Sequence, residues 1–310
     1  MGDFIVLNRR QLMRTVTAVV AAGAGMAAAQ PAFVQDRATG QTTPSSDVVD
    51  VVGTSAGFTM PSSHRAGFVT FDVRSTHPQG GLFALWRLRA GTALDDALRY
   101  ALMGLSDTRS ESIEGGRGIQ QRVDILGGAA VLPGERVSFT SLLLPGTYHL
   151  VNYQDLREGG VPRAAERLRT LTVTKQYGAT PPVASATAVF TLTAGRAAYR
   201  MPTQLRVGQP LLMVNSMPQL TEAVFMPVLP GTTHEQMREF FAAADREDWD
   251  VPVPIIGGPV GLPALSPGRA TIIRTSLRPG PYALVTWYPD FDTGRMLAAE
   301  GQFELVTITG

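Results

Sequence analysis

Cysteine is absent from all 310 residues. That absence excludes disulfides, thiolate metal sites, a cysteine nucleophile and a lipid anchor on an N-terminal cysteine, and it leaves stability to the packed core. Lys175 is the only lysine, so the basic charge is almost all arginine. An excess of charge is missing too. Once residues 1–29 are set aside, 24 basic and 25 acidic residues remain. A balance this even gives no electrostatic footprint for nucleic acid or an anionic membrane. The longest apolar stretch, Thr15 to Ala29, is shorter than the ~20 residues a membrane helix needs, so no stable membrane span is expected in the mature chain.

What precedes that stretch gives it a meaning. Arg9, Arg10 and Arg14 stand before the Ala/Val/Gly run, which ends in small residues at "AAAQP". A basic start, a modestly apolar middle and a small-residue end describe an export signal over residues 1–29, and the paired arginines resemble the twin-arginine type. The expected location is extracellular or in the cell envelope, and the expected partner is a ligand there of unknown identity. The remaining chain is long enough for two domains.

The chain repeats itself. "LRAGTALDDALRYAL" (88–102) aligns with "VLPGTTHEQMREFFA" (228–242), "ILGGAAVLPG" (125–134) with "IIGGPVGLPALSPG" (255–268), and "PGTYHLVNYQD" (145–155) with "PGPYALVTWYPD" (279–290). The order is preserved, while the offset drifts from 140 to 130 to 134 residues. Two features account for the drift: a longer polar loop, "GLSDTRSESIEGGRG", in the first copy, and four extra residues around Pro263–Pro267 in the second. Polar, proline-containing stretches bracket the copies. The expected divisions are a linker over 30–47, a first domain over 48–175, a linker over 176–186 and a second domain over 187–310.

Period-two alternation dominates each copy, as in "AGFVTFDVRST", "ERVSFTSLLL" and "RATIIRTSLR". One short helix interrupts each series. Thr92 is a candidate cap before "ALDDALRYAL", whose Leu94, Leu98 and Leu102 would lie on a sheet, and Thr232 or Thr233 caps "HEQMREFFAAA". The expected fold class is all-β: two tandem Greek-key β-sandwiches, each with one short helix. The repeated phrase "LLPGTYHLV"/"LRPGPYALV" fits such a corner. Proline fixes φ, glycine accepts positive φ, and Tyr148 or Tyr282 can anchor its hydroxyl on the adjoining connection.

These blocks resemble secreted bacterial proteins with the cupredoxin-like fold of plastocyanin-type copper proteins. "AGFVTFDVRST" is similar to their "AGxVTFxVxN" strand. "LLPGTYHLVNYQD" and "LRPGPYALVTWYPD" are similar to their "LxPGxYxLVCFxPD" run. The resemblance implies a copper centre of two histidines and a cysteine, often with an axial methionine. This chain departs from it: Asn152 and Thr286 stand at the cysteine position, and no histidine occurs at Gly80–Leu82, at Leu220–Glu222 or in the segments after each strand. No cofactor is therefore expected.

Other candidate chemistry is sparse. His64, His77, His149 and His234 share no repeated position and no ligand spacing, and the methionines in apolar runs read as core. Gly53-x-Ser55-x-Gly57 lacks the helix a nucleophile elbow needs, and "FDTG" (291–294) reads as a turn. "ADREDWD" (244–250) reads as a solvated helix end. No catalytic residue is assigned. The residues after each repeated strand, Tyr153, Gln154 and Asp155 in the first copy and Trp287, Tyr288 and Asp290 in the second, read as a ligand or partner surface, because Trp and Tyr beside a loop supply rigid contact area. The leading expectation is a secreted, metal-free binding or structural module. The alternative is an extracytoplasmic enzyme or a redox or copper-accessory protein with a non-thiolate site.

Overall fold

A computed structural model describes residues 48–177 and 182–310; the expected export signal and the linker before residue 48 lie outside them. The first copy contains β1 (Val48–Thr54), β2 (Gly57–Thr59), β3 (Ser63–Ser75), β4 (Gly81–Leu88), α1 (Leu94–Gly104), α2 (Arg109–Arg122), β5 (Val123–Val131), β6 (Arg136–Leu143), β7 (Gly146–Asn152), α3 (Tyr153–Arg167) and β8 (Arg169–Tyr177). The second contains β9 (Ala186–Thr193), β10 (Arg196–Arg200), β11 (Gln204–Arg206), β12 (Leu211–Asn215), β13 (Thr221–Pro227), α4 (His234–Asp245), β14 (Val260–Leu265), β15 (Ala270–Thr275), β16 (Gly280–Val285), α5 (Leu297–Glu300) and β17 (Phe303–Thr309).

In the first copy one layer runs β2-β1-β3-β6 and the other runs β8-β7-β4-β5, with the start of β3 crossing over to pair with β8. The second copy repeats this pairing as β10-β9-β12-β15 and β11-β17-β16-β13-β14, with the long crossing strand split into β11 and β12. This is the Greek-key, cupredoxin-like sandwich in both copies. The helical content is larger than one helix per copy. The stretch expected as a polar loop is α2, "REGGVPRAAER" lies within α3, and α5 is added in the second copy.

Both layers continue from one copy into the other. β6 pairs antiparallel with β15, Phe139 facing Ile273, and β5 meets β14 at Ala130 and Gly261. The turn glycines Gly146 and Gly280 are 134 residues apart, and so are Phe139 and Ile273. Corresponding residues therefore face each other across the join, which gives the copies an approximate two-fold relation. One apolar core runs between the layers through both copies, from Phe71, Phe83 and Phe139 to Phe190, Phe225 and Leu284. Two smaller clusters lie under the helices.

The repeated phrase forms the corner its sequence calls for. Gly146 and Gly280 both adopt φ 151°, and Tyr148 donates its hydroxyl to Leu144 O at 2.7 Å. The Tyr282 hydroxyl bonds the backbone of Arg278, the same four residues upstream. Two helix details differ from expectation. α1 takes Ala93 as its N-cap with no side-chain bond, and Leu102 is exposed while Ala97, Leu98 and Ala101 face inward. α4 has the expected capping box between Thr233 and Gln236. The second glycine block also shifts. The φ of 156° at Gly127 is matched by 142° at Gly261, not by a residue of "IIGG", so the extra residues precede β14 and Pro263 lies within the strand.

Candidate functional site

The ends of β7 and β16, where a copper-binding relative would carry cysteine, are occupied by short polar side chains with structural work to do. Asn152 accepts from Leu82 N at 3.0 Å and from Gln154 N at 3.2 Å, tying β4 to β7 and capping α3. At the two glycines of the facing segment a histidine has no room. A Cβ on Gly80 would stand 2.1 Å from Val131 O, and one on Gly81 would stand 2.3 Å from the Phe83 ring. In the second copy Thr286 Oγ1 lies 3.3 Å from Thr221 Oγ1 and accepts from Tyr288 N at 3.2 Å. Thr221, Thr286 and the adjoining Gln302 are fully buried, and Gln302 Nε2 has no partner among the described residues. The expected ligand segments thus do meet, at Leu82–Asn152 and Thr221–Thr286, but the groups that meet are hydrogen-bonding spacers.

The six surface candidates divide. Tyr153 is buried, and its hydroxyl accepts from Trp86 Nε1 at 3.3 Å. Asp155 is buried between Arg163 and Arg167, at 3.3 and 3.2 Å. Trp287 is buried against Phe240 and Phe241, and its indole N–H has no acceptor among the described residues. Gln154 is half-buried and bonds Gln79 and Glu158. Tyr288 is half-buried against Phe291, and Asp290 closes the following turn by accepting from Asp292 N and Thr293 N at 2.7 Å. Burial raises the hydroxyl pKa of Tyr153 and Tyr288, and the nearby Glu222 charge adds to it. The exposed surface expected from the sequence is therefore largely core. Tyr153 and Tyr288, from different copies, pack with Phe291 in one cluster, and Trp287 lies in another.

The element that brings them together is α2. Gly115, Gly116 and Gly118 lie on it, and each clears a close approach. A Cβ on Gly115 would meet Gly104 N at 2.0 Å, one on Gly116 the Phe291 ring at 2.4 Å, and one on Gly118 the Tyr100 ring at 2.0 Å. Polar side chains complete the grip on the second copy. Gln120 donates to Pro218 O at 3.2 Å and accepts from Leu220 N at 2.8 Å, and Arg117 bonds Phe291 O and Asp292. The first copy's helix therefore covers the loop end of the second sandwich.

Beside this contact lies a cleft of about 410 Å³, lined from the first copy by Asp107, Arg109 and Ser112 and from the second by Glu247, Trp249, Trp287 and Met296 among others. Its wall is fixed by Asp245, the last residue of α4. Expected to be solvated, Asp245 is 9% exposed: it accepts from Met296 N at 2.7 Å and pairs with Arg109 at 3.3 Å and Arg295 at 3.4 Å. Of the cleft's lining, the sequence marks Trp287 as a surface residue and places Glu247 in a solvated helix end. Arg109, Trp249 and Met296 carry no local signal, because their meeting depends on how the copies join. Among the described residues no group of three or more His, Asp or Glu is arranged to hold a metal ion, and no helix is long and apolar enough to cross a membrane.

No protein-family profile matches the chain, and no curated protein matches it. Solved structures similar to it include auracyanin B, at 15% identity over 43% of this chain and 94% of that one, with a TM-score of 0.26. Rusticyanin from Thiobacillus ferrooxidans matches at 15% identity over 40% and 75%, with a TM-score of 0.24. The McoA multicopper oxidase from Aquifex aeolicus matches at 10% identity over 85% and 65%, with a TM-score of 0.24. The cupredoxin-like architecture stands on the strand pairing described above.

Proposed function

We propose that this protein is an exported, metal-free binding module that receives a small ligand in the cleft between its two copies. On this reading residues 1–29 are a twin-arginine-type export signal, and the mature protein works outside the cytoplasm as two cupredoxin-like domains over 48–175 and 187–310. The observation that carries the reading is the cleft itself: about 410 Å³, two of the chain's three tryptophans in its lining, and both copies contributing. That volume falls in the range of small-molecule sites, which are mostly apolar with a few polar groups. Tryptophan and arginine are also the residue types that dominate binding energy. The glycines and buried polar groups at the former ligand positions support a scaffold whose strand ends serve packing. Tyr153, Asp155 and Tyr288 lie outside the cleft's lining and are not contacts in this reading.

A ligand-observed NMR screen of small fragments against the full mature chain tests the reading. The expected hits lose their signal transfer when Trp249 is replaced by alanine. Hits that are indifferent to Trp249, or no hits at all, would contradict a cleft site. Cell fractionation tests export, with the Arg9→Lys, Arg10→Lys double variant expected to stay in the cytoplasm.

A further inference from the structure

We infer that the cleft selects a small organic cation, an amine or quaternary ammonium on an apolar body. The inference rests on the cleft being a ligand site and adds the ligand's charge class. Its lining combines aromatic and thioether surface, from Trp249, Trp287 and Met296, with the carboxylates of Asp107 and Glu247. Tryptophan is the strongest side-chain partner for a cation. Arg109 also lines the cleft, but its guanidinium is held on Asp245, which takes Arg295 as well. The Arg109 charge is met by Asp245, which leaves Glu247 as a carboxylate on the lining with no ion-pair partner among the described residues.

Glu247 is the decisive residue. α4 ends in a Schellman motif: Glu247 N donates to Ala244 O at 3.1 Å and Asp248 N to Ala243 O at 3.0 Å. The residue at this C′ position takes left-handed φ, 60° here, where glycine is the usual occupant because it has no side chain to clash. The described part of the chain has only one other non-glycine residue at positive φ, Ala194. A glutamate in that conformation is a local cost, and its carboxylate has no hydrogen-bond or ion-pair partner among the described residues. What it does provide is a negative charge on the cleft lining, beside Trp249. Strain of this kind is informative when the strained residue lines a cavity.

The test follows tryptophan fluorescence of the full mature chain during titration with benzyltrimethylammonium, benzyl alcohol and benzoate. Trp86, fully buried under the first copy's helices, contributes a constant background. Benzyltrimethylammonium is expected to bind about tenfold more tightly than benzyl alcohol, with benzoate weakest. Glu247→Gln is expected to lower the cation's affinity about tenfold and leave benzyl alcohol unchanged. Glu247→Gly is expected to lower it equally while raising the melting temperature, so loss of binding cannot be read as loss of fold. Equal binding of cation and alcohol, tighter binding of benzoate, or an unchanged cation affinity in both Glu247 variants would overturn the inference. If benzyl alcohol or benzoate binds in a Trp249-dependent way, the cleft survives as a ligand site and only the cation class falls; if no probe binds, the class falls and the fragment screen decides the cleft.

Discussion

Tyr148 and Tyr282 show how a repeated phrase earns its repetition at the residue scale. Each hydroxyl reaches the backbone four residues upstream, across the Pro-Gly turn that its own sequence encodes. Replacing either with phenylalanine is expected to cost about 1 kcal/mol in urea unfolding, the net worth of one hydrogen bond. Unequal costs above about 2 kcal/mol at one corner would mean the two do different work. His149, next along the same strand, carries a pH dependence. Burial holds its imidazolium pKa below the usual value of 6.5. The unfolded chain then binds the proton more readily than the folded one, so stability falls as pH drops from neutrality through that value and is flat above it. His149→Gln should remove this component from the pH profile of the melting temperature. A profile that keeps the same slope assigns it to another group.

At the scale of elements, the strands were legible in the sequence and the added helices were not. Period-two alternation and Pro-Gly turns are local signals, and they mark β3, β6, β7, β15 and β16 correctly. α2 was hidden because glycine and polar residues signal a loop when read locally. Its glycines are there so that α1, Tyr100 and Phe291 can approach, a reason that exists only in the folded molecule. Gly116→Ala tests this. Alanine favours an isolated helix over glycine by about 1 kcal/mol, yet its Cβ would stand 2.4 Å from the Phe291 ring. Net destabilisation of about 1–3 kcal/mol is expected by chemical denaturation, whereas stabilisation would mean that α2 is not seated on the second copy. Asp245 was misread for a similar reason. An acidic run at a helix end looks solvated until Arg109 and Arg295 arrive from distant parts of the chain.

The whole molecule is two sandwiches joined into common layers. Because β6 pairs with β15 through a register centred on Phe139 and Ile273, neither copy can unfold without exposing the edge of the other. Calorimetry should therefore show one transition, with equal calorimetric and van't Hoff enthalpies. Two resolved transitions would mean the join contributes little. The duplication was readable from three ordered sequence blocks, but the join was not, since no single copy specifies what its free edge will meet. The candidate site inherits that limit: of the six surface candidates only Trp287 lines the cleft, and the lining is assembled across the join.

At the ends of β7 and β16, Asn152 and Thr286 serve hydrogen bonding and packing, and we propose that neither copy binds copper. Metal content measured by mass spectrometry on the full mature chain, after loading with copper and removal of unbound metal, tests it most directly. The prediction is far less than one equivalent per molecule, with no absorption band from a copper centre. Retention near one copper per domain would overturn this, because Asn152, Thr286 and their neighbours would then be ligands and not spacers.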